Sequence, residues 1–268
     1  MHAMIFCAGL GTRLKPFTET HPKALLPLAG KTLLQWQVEK LRDAGIKDII
    51  VNVHHFPDQI IDTIRANDGW GCNISVSDER DLLLDTGGGL RKAKSSIFNL
   101  QSSISDPILA CNVDILSNID IRAFVNEYNR QSIVHRQSSN RQFGMLVVSE
   151  RETQRYLLFD DDLSLRGWTN IATGELKPAS LTTNPLTTNP LTPLAFSGMQ
   201  ILSPEILCLL EQMPETKFSL IDFYLRFLPP LKAYIPKDYK MMDVGKIEQL
   251  NDAERFAEQI KCSKCEKK

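Results

Sequence analysis

The stretch "FCAGLGTRLKPFTETHPKALLPLAG" occupies residues 6–30, and its reading decides the fold. It leaves a short apolar run, Ala3-Met4-Ile5-Phe6-Cys7, that reads as a strand. It then spends a long segment on glycine, proline and basic side chains. In a chain that alternates strands and helices, a strand opening into a glycine loop marks the carboxyl edge of the sheet, where such folds bind ligands. Gly9 and Gly11 permit positive φ and let backbone N–H groups approach an anion with no Cβ in the way. Arg13 and Lys23 add full positive charge. A polyphosphate suits this combination; a surface loop with solvated charges is the plainer alternative.

The rest of the first half supports that setting. "TLLQWQVEKLRDAG" has helical spacing and ends at Gly45, "IKDIIVNV" and "CNISVS" read as strands, and "PDQIIDTIRAN" opens a helix with Pro57. "GGLRKAKSSIFNL", "DPILACNVDIL" and "DIRAFVNEYNRQ" continue as helix, strand and helix. This alternation predicts an α/β fold: a Rossmann-like three-layer α/β/α arrangement around a mixed, mainly parallel sheet. After about residue 140, "FGMLVVSE", "RYLLFD" and "LSLRGW" follow one another as strands and predict a small antiparallel lobe extending the sheet. The Pro/Asn/Thr stretch 180–193 repeats LTTNP and predicts an exposed loop. "LAFSGMQIL" returns to strand, "SPEILCLLEQM" is a helix capped by Ser203, and "SLIDFYLRFL", "LKAYIP" and "KIEQLNDAERFAEQIK" read as helix, strand and helix. One domain over residues 1–260 and a Lys-rich tail over 261–268 result.

The 268 residues are 43% apolar and 24% charged, with a formal net charge of −1. That balance argues against a dedicated nucleic-acid binder, which carries a basic excess. No apolar run is long enough to span a membrane, and no secretory leader is evident, so a cytoplasmic protein is expected. Of the six cysteines, Cys7, Cys72, Cys111 and Cys208 lie in apolar segments and read as buried hydrophobes. Cys262 and Cys265 form one C-x-x-C without a second pair, and a solvated tail is preferred to zinc.

Two common phosphate motifs fail. A dinucleotide fingerprint requires glycine where Leu14 stands, and a Walker A loop ending at Gly30-Lys31-Thr32 requires glycine at Leu25. The residues that are present resemble another family. "AGLGTRLKP…HPKALLPLAGKTLL" is similar to the first motif of the sugar-1-phosphate nucleotidylyltransferases. "LLLDTGGGLRKA", "CNVDIL", "AFSGMQILSPEIL" and "MMDVGKIEQL" resemble its later motifs, over nearly the whole chain. The triple glycine looks most like a compact branch that includes N-acetylmuramate-1-phosphate uridylyltransferases and mannose- or heptose-1-phosphate guanylyltransferases.

The resemblance implies an enzyme that condenses an NTP, UTP or GTP being favoured, with a sugar 1-phosphate to give an NDP-sugar and pyrophosphate. It implies that Ala8, Gly9, Leu10, Gly11 and Thr12 wrap the triphosphate, with Arg13 on the leaving phosphates and Lys23 on the reacting α-phosphate. Asp114 and Asp243, each at a strand end, are expected to hold one Mg²⁺. Thr86, Gly87, Gly88 and Asn112 are expected at the nucleotide, and Gly198 at the sugar. Trp168 either stacks on the sugar or packs. A monomer or small homo-oligomer is expected. The adjacent His54 and His55 point apart on a strand and are no metal pair, and Asp160–Asp162 reads as a turn. One departure stands out: where longer relatives carry Glu-Lys-Pro, this chain reads "LSLRGWTN", and Lys177-Pro178 is a displaced candidate. Two other functions stay open: a phosphocholine cytidylyltransferase, whose cationic acceptor favours aromatics and acids, and a non-catalytic regulator that binds nucleotide-sugars.

Overall fold

The computed structural model describes residues 1–99, 106–137, 143–178 and 190–265. β1 (His2–Phe6) runs into the glycine loop, which a small hairpin closes, β2 (Pro27–Leu28) against β3 (Lys31–Thr32). α1 (Leu33–Asp43) follows, capped by Thr32, whose side chain accepts from the Gln35 N–H at 3.1 Å. It stops at Gly45, φ 93°, where the Ile46 N–H returns to the Leu41 carbonyl at 3.0 Å. β4 (Asp48–Val53), α2 (Pro57–Ala66), β5 (Asn73–Asp78), α3 (Asp85–Asn99) and β6 (Ile108–Asn112) complete the parallel half. β4 and β6 flank β1, both parallel to it, and β5 lies outside β4.

The remaining elements are β7 (Ile115–Ser117), α4 (Ile121–Gln137), β8 (Gly144–Ser149), β9 (Arg155–Phe159), β10 (Leu165–Asn170), β11 (Glu175–Lys177), β12 (Thr192–Leu202), α5 (Pro204–Leu209), α6 (Leu220–Phe227), β13 (Leu231–Tyr234), β14 (Met241–Asp243) and α7 (Leu250–Cys265). β12 pairs antiparallel with β6, β8 and β9 along its length. It can serve all three because its register shifts between Phe196 and Gln200, around Gly198 at φ 70°.

Strand alternation sorts the core into two layers. Ala3, Ile5, Ile49 and Val51 join one apolar cluster with α1, α2, α4 and α7. Met4, Ile50, Ile108 and Ala110 join the other with α3, α5 and α6. A sheet buried on both faces needs apolar residues at successive positions, and β1 and β6 have them. The fold is therefore the expected three-layer α/β/α type with a mixed sheet.

Four expectations are corrected. β8 is not beside β9; it lies between β12 and β13, parallel to the latter. The antiparallel lobe is instead β9, β10 and β11, the last of which was not anticipated. α3 starts at Asp85, before the expected Gly88, so Gly87 joins Gly88 and Gly89 in its first turns. α7 continues to Cys265, so a tail beginning at 261 would cut a helix. Cys208 is exposed and Cys72 only half-buried, because short elements at the surface carry them, whereas Cys7 and Cys111 are buried. The LTTNP repeat spans 181–190 and all but Pro190 lies outside the described residues, while Thr192 and Pro193 of the expected loop already belong to β12.

Candidate active site

The carboxyl ends of β1, β4 and β6 open onto a cleft of about 480 Å³. The loop after β1 forms its floor, from Ala8 through Gly9, Leu10, Gly11 and Thr12 to Arg13. A Cβ on Gly9 would meet nothing within 4 Å, so the chain here borders open space in the cleft. Gly11 sits at φ 62°, and a Cβ there would stand 2.9 Å from Thr18 Cγ2 and 3.0 Å from Lys23 Cβ. The loop can fold back over Lys23 only with glycine at that point. Thr18 Oγ1 donates to the Gly11 carbonyl at 3.0 Å and pins the return.

A buried polar chain supports this loop from behind. The Cys7 N–H donates to Asn52 Oδ1 at 2.8 Å, and Asn52 Nδ2 donates to Glu79 Oε1 at 2.8 Å. Glu79 is fully buried beneath the start of α3. Burial pushes its carboxyl up, against the pull of the Asn52 bond, the Leu84 N–H and the charges of Lys92 and His54. The ends of β1 and β4 and the start of α3 are thus tied together at the cleft. Burial also pushes the Cys111 thiol up to about 12, and Cys7 well up, so neither is a nucleophile.

Four charged groups from distant parts of the chain meet at the cleft's far wall. Lys23, 7% exposed, forms an ion pair with Asp114 in the turn between β6 and β7. β14 runs antiparallel to β7 with Asp243 opposite Ile115, and the Val244 N–H donates to the Asp114 carbonyl at 2.8 Å. This brings the two carboxylates together. Partial loss of water in the cleft and the Asp114 charge push the Asp243 carboxyl above the usual carboxylate range, opposed by Lys23, Arg13 and Arg151. Gly245 has room only for hydrogen: a Cβ would lie 2.6 Å from Asp243 Oδ1 and 2.8 Å from Arg13 Nη2.

Two neighbouring carboxylates form a hard oxygen donor pair. Among the described residues no group of three or more His, Cys, Asp or Glu could enclose a metal. That donor set fits a magnesium-like ion, which takes one or two carboxylates and fills its other positions with water and phosphate oxygens.

The other expected residues divide. Thr86 and Asn112 line the cleft, where Leu83, Asp85 and Lys217 also appear. Gly87 and Gly88 do not face it. Their N–H groups both donate to the Phe218 carbonyl, at 2.9 and 3.2 Å, and a Cβ on Gly87 would stand 2.4 Å from the Phe218 ring. Their role is close packing of α3 against residues 216–218. Gly198 likewise packs, with a Cβ position 2.9 Å from Ile115 Cγ1 and 3.2 Å from Asn112 Nδ2. His54 and His55 lie past the end of β4, and each engages a carbonyl, of Glu79 at 2.7 Å and Thr18 at 3.0 Å. Asp160 closes the expected turn by accepting from the Ser164 N–H at 2.8 Å.

Beyond Arg13 and Asp243 the cleft widens into a polar cavity of about 1080 Å³. The β9–β10–β11 lobe provides one wall. Trp168 pairs with Lys177 across β10 and β11, and Lys177 Nζ lies 5.4 Å from the indole centroid. Arg151 and Arg155 also line this space and were not singled out from sequence, since nothing local separates them from surface arginines. Gln37 and Asn52 escaped notice for a related reason: a lone amide in an apolar helix or strand has no periodic signal.

Known proteins resemble this chain in sequence and in fold. A nucleotidyl transferase family model matches residues 2–160. The N-acetylmuramate alpha-1-phosphate uridylyltransferase of Caulobacter vibrioides is 38% identical over 114 residues, 42% of this chain and 45% of that protein. Mannose-1-phosphate guanyltransferase 2 of Candida glabrata is 27% identical over 217 residues, 80% of this chain and 53% of the relative. The matches thus span about half the length of these curated relatives. Among solved structures, HddC from Yersinia pseudotuberculosis complexed with GMP-PN superposes with a TM-score of 0.69 at 25% identity, covering 95% of this chain and 99% of that one. A UDP-glucose pyrophosphorylase complexed with UDP-glucose gives 0.71 at 18% identity, covering 97% and 99%, and speaks to the fold alone.

Proposed function

The chain belongs to the nucleotidyl transferase family, and on that premise we propose that it transfers a nucleotidyl group from an NTP to a sugar 1-phosphate. The observation that carries this reading is the meeting of Arg13, Lys23, Asp114 and Asp243 at the mouth of a glycine loop. An oxygen of the sugar phosphate attacks the α-phosphorus in line. The bond from that phosphorus to the bridging oxygen breaks, and its electron pair leaves on pyrophosphate. Such a transfer needs positioning and neutralisation of spread negative charge more than covalent help.

The loop from Ala8 to Thr12, open at Gly9, binds the triphosphate through its backbone. Arg13 at the cleft's edge neutralises the leaving phosphates. Lys23, nearly buried and fixed by the loop's return, stands where the α-phosphate and the sugar phosphate meet. Asp114 and Asp243 would hold Mg²⁺, which when bound neutralises phosphate oxygens. Thr86, Asn112 and Leu83 frame the nucleoside end. UTP and GTP are the favoured donors, because the relatives are named uridylyl- and guanylyltransferases. The sugar phosphates in those names, of N-acetylmuramate and mannose, are the acceptors to assay first. A reaction between dissolved nucleotides and sugar phosphates suits the cytoplasm. No helix among the described residues is long and apolar enough to cross a membrane.

The test is pyrophosphate release with each NTP against a panel of sugar 1-phosphates, with and without Mg²⁺. Release that requires both a sugar phosphate and the metal supports the reading. Nucleotide binding without release under any pairing would leave a regulator instead.

A further inference from the structure

We propose that α7 clasps the hairpin that closes the glycine loop, and that Glu254 and Lys261 are thereby positioning residues for Lys23. The proposal rests on the nucleotidyl-transfer reading for what Lys23 does. It deepens that reading by naming the part of the chain that sets this lysine in register with the carboxylates.

The hairpin carries a turn that its own sequence does not specify. β2 and β3 pair Leu28 with Lys31, so Ala29 and Gly30 form the turn, and both stand at positive φ, 48° and 76°. Asn-Gly and Gly-Gly suit such a turn. Gly30 meets the need at the second position, whereas alanine at the first brings its Cβ up against its own backbone.

α7 supplies what alanine lacks. Glu254 Oε1 accepts from the Ala29 N–H at 2.7 Å, and Lys261 Nζ donates to the Ala29 carbonyl at 2.9 Å. Both main-chain polar groups of one buried residue are thus taken by side chains of the last helix. Glu254, Ala257 and Lys261 lie at i, i+3 and i+7, on one face of α7. Ala257 is buried between the two charged residues, in the same apolar cluster as Leu26, Leu28 and Ala29, and its small side chain lets the helix come close.

A short ladder joins the turn to Lys23. The Leu33 N–H donates to the Leu26 carbonyl at 3.1 Å, one rung below the β2–β3 pair, and the Leu26 N–H donates to the Lys23 carbonyl at 3.0 Å. α1 holds the stem of the hairpin, through Trp36 Nε1 on the Leu28 carbonyl at 2.9 Å. α7 holds the tip. The same helix follows Asp243 closely in the chain and packs against β7, which Asp114 precedes. α7 therefore braces the supports of Lys23, Asp114 and Asp243 together, and the Lys23–Asp114 ion pair is the joint between them.

The test uses Glu254→Met, which removes the acceptor at similar length, Glu254→Gln, which keeps one, and Ala29→Gly, which adopts positive φ without help. A displaced Lys23 is felt in the transition state, so Glu254→Met should lower kcat about three- to tenfold well below its melting temperature, with the KM for NTP within about twofold of the parent's. Lys261→Met should act in the same sense. Glu254→Gln should recover most of the loss, and so should Ala29→Gly placed in the Glu254→Met background. A merely structural role would lower the melting temperature and leave kcat per folded molecule unchanged. An unchanged kcat in Glu254→Met, or a loss that Ala29→Gly leaves standing, overturns the proposal. Hydrogen exchange over residues 23–33 reads the clasp without turnover: it should quicken in Glu254→Met and slow again in the double variant. That pattern in a protein that transfers from no NTP keeps the clasp and removes the catalytic reading. Exchange at the parent's rate in Glu254→Met removes the clasp whatever the turnover.

Discussion

Gln37, 2% exposed in the apolar face of α1, donates through Nε2 to the Ile115 carbonyl at 2.7 Å and reaches the Val113 carbonyl at 3.5 Å. These are the two neighbours of Asp114. With the Val244 N–H on the Asp114 carbonyl itself, the turn that presents this carboxylate is held at three successive peptides. Gln37 is therefore a positioning residue for Asp114. Gln37→Met keeps the volume and removes the donor, leaving a buried carbonyl unsatisfied at a cost of about 1–3 kcal/mol. The Mg²⁺ concentration for half-maximal turnover should rise several-fold while the KM for NTP moves less. A metal titration that superposes on the parent's would show that the amide only fills space.

Lys23 and Arg13 should separate kinetically. An interaction made more strongly in the transition state lowers kcat when removed, whereas a uniform one raises KM. Lys23→Met should lower kcat by about a hundredfold or more, the scale of one lost electrostatic donor. Arg13→Met should harm kcat and the KM for NTP, and affect the KM for sugar phosphate less. Steady-state kinetics with each substrate varied in turn measures both, and an unchanged kcat in Lys23→Met would reduce the loop to a binding device.

The glycines of this site divide into those that face ligand and those that face protein. Gly9→Ala adds a methyl into open space, so the melting temperature should hold while the KM for NTP rises. Gly87→Ala drives a Cβ to 2.4 Å from the Phe218 ring and 2.9 Å from its carbonyl. The main chain cannot yield as a side chain would, and a loss of about 1–3 kcal/mol is expected. Thermal melts and nucleotide kinetics on both variants check the split; the reverse pattern would exchange the two roles.

This division marks where sequence reading succeeds and where it stops. The glycine loop, the strand before it and the Ser203 cap were legible because their causes are local: positive φ, a short polar side chain, a run of apolar residues. The approach of Asp243 to Asp114 was expected only through resemblance, since the pairing of β14 with β7 joins segments far apart in the chain. Gly87 and Gly88 were expected at the nucleotide and proved to pack against residues 216–218, while Gly89 packs on Glu79 and Asn52. β8 was misplaced for a related reason, because three consecutive strand-like runs do not state that β12 will come between β8 and β9. Gln37 left no trace, being one polar residue on a helix whose apolar spacing is complete without it.

Glu79 offers a test of the buried chain behind the loop. Its carboxyl is raised, with burial the largest cause. A carboxyl raised on folding binds its proton more tightly in the folded than in the unfolded state. Stability therefore falls as pH rises through the window from the ordinary glutamate value to the raised one, and the penalty is complete above it. Glu79→Gln keeps an acceptor for Asn52 Nδ2 and abolishes the titration, at a fixed cost where its amide meets the Leu84 N–H, which Glu79 Oε2 accepts at 3.4 Å. The melting temperature of the variant minus that of the parent should accordingly increase as pH rises above the ordinary glutamate value. The difference is the informative quantity, because every other titrating group is common to both proteins. A difference that shrinks with rising pH would mean that the ionised carboxylate, set beneath the N-terminal turn of α3, gains more from Asn52 and the helix amides than it loses by burial.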